Sequence, residues 1–99
     1  MNVKLKVSSW LCSSLNIELT NSQETSVSVP EGETILGIVS HLANTDHILW
    51  KSIFDEKNHI IQPNVIVSLN GRIVNPYNRS EATLKEGDEL MFLPVIDGG

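Results

Sequence analysis

The chain has 99 residues, 40% of them hydrophobic and 19% charged, with a formal net charge of −5. That length suits one domain with one modest core, and the composition excludes both a disordered acidic tail and a membrane protein. The negative balance disfavours nucleic acid as a partner, because phosphates need clustered Lys and Arg and the seven basic residues here are scattered.

No apolar run approaches the ~20 residues that span a bilayer, so no membrane partner and a cytoplasmic location are expected. Cys12 is the one cysteine, which precludes an internal disulfide and a thiolate cluster; it reads as a small buried hydrophobe. His41, His47 and His59 lack the spacing of a two-His helical ligand pair, so no metal site is expected. Ser13, Ser14 and the Asp residues form no G-x-S-x-G arrangement, and no catalytic residue is assigned.

In chain order, Val3, Leu5 and Val7 alternate with Lys4 and Lys6, which predicts a first strand from Asn2 to about Trp10. Ile17-Glu18-Leu19 resumes an alternation, and Asn21-Ser22-Gln23 has turn chemistry. Thr25 to Val29 is a second strand, with Val27 and Val29 on one face, ended by Pro30. Thr34 is placed to cap a helix whose buried stripe is Ile35, Ile38, Val39 and Leu42, with His41 on its wet face. Gly37 is expected to let that helix approach a strand closely. After Asn44-Thr45-Asp46, the apolar positions Ile48, Leu49, Ile53 and Phe54 continue or restart the helix.

Asp55-Glu56-Lys57-Asn58 is a polar loop. Val65 to Leu69 is the clearest strand, and Asn70-Gly71 is the preferred pair for a two-residue type I′ hairpin returning through Arg72-Ile73-Val74. Asn75-Pro76-Tyr77-Asn78 turns the chain, Lys85-Glu86-Gly87-Asp88 turns it again, and Glu89 to about Val95 is the last strand. Trp10 and Trp50 read as core by default, with interface anchoring as the other reading. The order is that of an α+β fold: a β-grasp domain over residues 1–99, with a mixed sheet of four to five strands and one main helix packed across it. The first and last strands are expected side by side at the centre, since parallel pairing needs the crossover that the helix supplies.

The sequence closes on Pro94-Val95-Ile96-Asp97-Gly98-Gly99. Glycine loses the most freedom on ordering, so a terminal pair adds nothing to a fold. At roughly 7% Gly, such a pair arises by chance about once in 200 chains, so its context decides its meaning. That context is an apolar strand running straight into residues 95–99, read as an exposed tail released near Pro94.

Three stretches carry a resemblance: Val67-x-Leu69-Asn70-Gly71, then Leu84-Lys85-Glu86-Gly87-Asp88-Glu89, then Phe92-x-Pro94 leading to Gly98-Gly99. In this order they resemble the MoaD/ThiS family of sulfur carriers, ubiquitin-like domains ending in Gly-Gly. Phe54-Asp55-Glu56 and Asn64-Val65 are more similar to the carriers of cysteine biosynthesis and the archaeal-type modifiers than to the thiamine-pathway carrier. The sequence departs from the pattern at Val95, where a second Pro is frequent, and at Asp97, where a small neutral residue is.

The resemblance implies a sulfur carrier and co-substrate, or the small subunit of a synthase such as molybdopterin synthase, and not an independent enzyme. Gly99 would be adenylated by an E1-like enzyme using ATP and Mg, then converted by a persulfide or sulfide source to a thiocarboxylate that a sulfur-consuming synthase accepts. The chain itself would bind no cofactor. Gly98 and Asp97 would thread the partner's channel, and Phe92, Leu93, Pro94, Val95 and Ile96 are the candidates for partner contact, with core filling by Phe92 and Leu93 as the other reading. The alternative that the resemblance also implies is a ubiquitin-like modifier joined to lysines through Gly99. A binding module with an incidental diglycine is a third.

Overall fold

The computed structural model describes residues 1–14, 24–45 and 48–95. The N-terminal alternation becomes β1 (Asn2–Val7), with Val3, Leu5 and Val7 buried and Asn2 and Lys4 exposed. It stops three residues before the predicted end. Ser8 donates its N–H to Phe92 O at 2.9 Å, while its carbonyl accepts the Cys12 N–H at 3.1 Å and its Oγ the Trp10 N–H at 3.2 Å. Ser8 thus caps a short helix α1 (Ser9–Ser14), in keeping with the preference of Ser for helix starts. Leu11 and Cys12 take the buried face of that helix, so Trp10, expected in the core, is instead 68% exposed. The expectations for Ile17-Glu18-Leu19, for Asn21-Ser22-Gln23 and for His47 lie outside the described residues.

β2 (Glu24–Ser28) pairs antiparallel with β1, Val3 opposite Val27. After the Pro30 turn, Thr34 caps α2 (Ile35–Ala43), its Oγ1 accepting the Gly37 N–H at 3.1 Å. The buried stripe is Ile35, Ile38, Val39 and Ala43; Leu42, predicted within it, stays half-buried at its margin. Gly37 does not admit a strand. The space a Cβ would take there holds the Glu33 carboxylate, which folds back to accept the Thr34 N–H at 3.0 Å. α2 ends at Asn44, and α3 (Ile48–Ile53) is a separate helix that buries Leu49, Trp50 and Ile53.

Phe54 leaves the helix and enters a small sheet the sequence did not announce, β3 (Phe54–Asp55) against β4 (Ile60–Ile61). Two-residue strands show no periodicity to detect. The hairpin is closed by Asp55, whose Oδ1 accepts the N–H groups of Lys57 and Asn58 at 3.0 and 3.1 Å and whose Oδ2 accepts from the Asn58 amide at 2.8 Å. The amide of Asn58, with its backbone N–H next, holds the Asp55 carboxyl below the usual range.

β5 (Val65–Leu69) turns at Asn70-Gly71 into β6 (Arg72–Ile73). Both turn residues have positive φ, 52° and 86°, as type I′ requires. The short helix α4 (Arg79–Ala82), capped by Asn78, was not anticipated; β7 (Glu89–Pro94) then closes the main sheet. Its order is β2-β1-β7-β5-β6, with β1 and β7 parallel at the centre and the other pairs antiparallel. This is the β-grasp arrangement. The buried face of α2 shares one core with Val3, Leu5, Val7, Leu90 and Phe92 of the sheet.

The two turn motifs meet in space. Asn70 Nδ2 donates to Asp88 Oδ1 at 2.9 Å, and Asn70 Oδ1 accepts the Glu89 N–H at 2.9 Å. Asp88 Oδ2 accepts the Lys85 N–H at 2.7 Å, and Gly87, at φ 83°, donates its N–H to Asn2 O at 2.8 Å. The clasp sets the register of β7 between both neighbours. Asn70→Ala removes two of these bonds and leaves a less tolerant residue at positive φ; unfolding in urea should show a loss of about 1–3 kcal/mol.

Asp55 gives a second test. A carboxyl depressed in the folded state stabilises the fold above its unfolded pKa, and that contribution disappears as pH falls through the folded value. Asn58→Ala should therefore raise the Asp55 pKa toward the usual range in a carboxyl NMR titration, and the stability gap between the two proteins should close in acid.

Candidate functional site

β7, the last described strand before the C-terminal residues, lies in the middle of the sheet, flanked by β1 on one side and β5 on the other. The β5 ladder runs past Pro94. Pro94 stands opposite Val65, and the Val95 N–H still donates to Asn64 O at 3.0 Å. The strand ends at Pro94, near where the chain was expected to be released, and the alternation of the ladder explains how one bond still follows it. Val95 and Asn64 are a bonded pair, so Leu93 and Ile66 are the next, and the N of Pro94 faces the β1 side. There β1 has already ended at Val7, so the missing N–H has no partner to lose.

β7 alternates. Leu90 and Phe92 point into the core, Phe92 with no exposed surface and its ring edge-on to Trp50 at 5.3 Å between centroids. Phe92 is thereby corrected from a partner-contact candidate to a core residue: its parity along the strand matches Leu90, and the inner face of the sheet is closed by α2 and α3. Met91 and Leu93 have the opposite parity and stand on the outer face, half-buried.

Register brings their neighbours to that face: Ile66 opposite Leu93, Ser68 opposite Met91, and Ile73 opposite Ser68. Ile73 is 72% exposed and Val95 44%. An apolar strip of Ile73, Met91, Ile66, Leu93 and Val95 thus crosses the outer face toward the point where the chain leaves the sheet. Lys6 lies beside it on β1, paired with Glu89 at 3.2 Å. The sequence did not reveal Ile66, Ile73 and Met91 as part of this strip, since only strand order and register place them beside Leu93.

Of the predicted site residues, Leu93 and Val95 are brought together on the outer strip, Pro94 between them has the parity of Phe92, Phe92 itself is core, and Ile96, Asp97, Gly98 and Gly99 lie outside the described residues. The Cys12 thiol is buried, and that burial pushes its pKa above the ordinary value, which opposes thiolate chemistry. Among the described residues no three His, Cys, Asp or Glu side chains gather at metal-binding range, and no helix is long and apolar enough to cross a membrane.

Solved structures share this architecture. SAMP1 of Haloferax volcanii superposes with a TM-score of 0.70 at 18% identity, over 100% of both chains. The small archaeal modifier protein 1 of Methanosarcina acetivorans does so with a TM-score of 0.65 at 26% identity, over 99% of this chain and 96% of that one. A chain of the BexX/CysO complex of Amycolatopsis orientalis gives a TM-score of 0.60 at 24% identity, over 98% and 99%. No curated protein matches. The ThiS family model matches residues 15–99, which include the clasp, the outer strip and the diglycine, and the chain therefore belongs to the ThiS family.

Proposed function

We propose that this chain is a sulfur carrier whose cargo is borne on Gly99. The observation that carries the reading is a family match running through the diglycine on a sheet whose central strand leads directly to it. A terminal carboxylate, with a pKa near 3.3–3.7, is ionised at neutral pH and a poor electrophile. An E1-like enzyme would transfer AMP from ATP, with Mg, to a Gly99 carboxylate oxygen, releasing pyrophosphate. Sulfide would then attack the acyl carbon and expel AMP, leaving the thiocarboxylate directly; a persulfide would expel AMP to give an acyl disulfide, from which a second thiol of the donor, forming a disulfide as it attacks, would release the thiocarboxylate that a sulfur-consuming synthase uses. Gly98 and Gly99 present no side chain to obstruct the attacking group, and Asp97 precedes them in the channel.

The residues beyond the last ladder bond, Ile96 to Gly99, span at most about 13–14 Å. The partner's active site must then open within that distance of Val95. In this reading the activating enzyme docks on the outer strip, with Leu93 and Val95 nearest the acyl end and Ile96 following them in. The acidic balance of the chain favours a basic surface around that dock.

A second reading, conjugation of Gly99 to lysine amines, is favoured by the likeness to small archaeal modifier proteins at 26% identity. Both readings begin with the same adenylation and part at the nucleophile, sulfur in one and an amine in the other.

Intact-mass measurement after incubation with an activating enzyme, ATP and a sulfur source separates them: a gain of about 16 Da, one O replaced by S, is expected for carriage, and isopeptide adducts for modification. Neither product should form once Gly98 and Gly99 are deleted; their persistence would refute both readings. Leu93→Asp should abolish adenylation in a pyrophosphate-release assay while the fold persists. Phe92→Ala should do the reverse of a docking mutation, destabilising the fold by about 3–5 kcal/mol.

A further inference from the structure

β2 forms one edge of the main sheet. Its bonding pattern can be read from the end of its ladder with β1. The Met1 amine donates to Val29 O at 2.8 Å and the Val29 N–H to Met1 O at 2.8 Å, so these two residues exchange both bonds. In an antiparallel ladder such pairs alternate, which makes Val3–Val27 and Leu5–Thr25 the next ones. Ser26 and Ser28 fall between them and turn N–H and C=O outward. The far side of β1 agrees, since Lys4 donates to Asp88 O and Asn2 O accepts from Gly87, both toward the opposite side. Two donors and two acceptors thus stand at strand spacing along the edge, and no described residue takes them.

Beside this edge a groove of about 560 Å³ opens between β2 and α2. Val27, Val29, Pro30 and the half-buried Leu42 form its apolar part, and Glu33 and His41 flank it. Backbone edge and groove are in register with one another. A strand laid against Ser26 and Ser28 would turn every second side chain onto Val27, Val29 and Leu42.

Charge selects the occupant. Glu31 and Glu33 follow β2 without an ion pair among the described residues, and Glu24 begins it, paired with Lys4 at 3.8 Å. A second copy of the chain would set two bodies of net charge −5 against each other. We propose that the β2 edge and the β2–α2 groove bind, as an added strand, an extended aliphatic segment of a partner protein flanked by Lys or Arg. This site lies across β1 from β7 and does not depend on the diglycine.

The test uses the full isotope-labelled chain and two capped synthetic peptides, Lys-Lys-Val-Thr-Ile-Thr-Val-Lys-Lys and the same core flanked by Glu. With up to about 1 mM lysine-flanked peptide, saturable shifts and slowed exchange are expected at the Ser26 and Ser28 amides, with much weaker binding of the Glu-flanked one. Ser28→Pro removes an outward N–H and leaves the β1 ladder intact, so the Kd should rise at least about tenfold. Glu31→Lys, an exposed turn substitution, should weaken the lysine-flanked peptide and remove part of its salt dependence. Deleting Gly98 and Gly99 should change nothing. The proposal is overturned by an absence of shifts at these amides, by equal binding of both peptides, by an unchanged affinity in either variant, or by concentration-dependent edge shifts without peptide, which would make a second copy the occupant.

Discussion

The parallel pairing of β1 with β7 is the constraint on which the rest of this molecule depends. Parallel neighbours cannot be joined by a tight turn, so the chain between them must cross a face of the sheet, and α2 is the element that does so while covering Val3, Leu5, Val7, Leu90 and Phe92. Both strands then end at the same margin of the sheet. On the β1 side the chain turns at Ser8 into α1; on the β7 side it continues through Pro94 and Val95 toward the diglycine. The Ser8 N–H on Phe92 O is the point where the two exits separate. β7 is thus a central strand with backbone partners on both sides.

Register is the second requirement, and it is set at the other end of β7. The Asn70–Asp88–Glu89 clasp holds the beginning of the strand against β5, and Gly87 on Asn2 holds it against β1. A slip of one residue would send Met91 and Leu93 inward and Leu90 and Phe92 outward, because side chains alternate strictly along a strand. The motifs by which the sequence is recognised therefore belong to the scaffold. They determine which side chains form the core and which form the outer strip.

The two faces of the sheet margin divide accordingly. The outer strip from Ile73 to Val95 adjoins the exit of the chain and suits a partner that works on the C-terminus. The β2 edge lies on the opposite side of β1, bordered by carboxylates, and suits an extended basic segment. Trp10 and Ile48, each 68% exposed, stand apart as large apolar side chains that the core does not use.

Much of this was legible because it is local. Period-two alternation marked β1 and β2, a β-branched run marked β5, the helical stripe marked α2 with its Thr34 cap, and Asn70-Gly71 marked a turn that only residues tolerant of positive φ make readily. The ordered motifs and the terminal diglycine pointed to the family. The small β3–β4 sheet and α4 were not legible, since two to four residues carry no period; nor was the helix at Ser8, where a capping contact outweighs the propensity of Trp10 for a strand. Local sequence determined these longer elements and the family motifs. Only the tertiary structure decided that Phe92 is core and Leu93 surface, that Ile66, Ile73 and Met91 join Leu93 on one strip, and that Ser26 and Ser28 face an edge that no described residue pairs, because each of these follows from pairings between segments far apart in the chain.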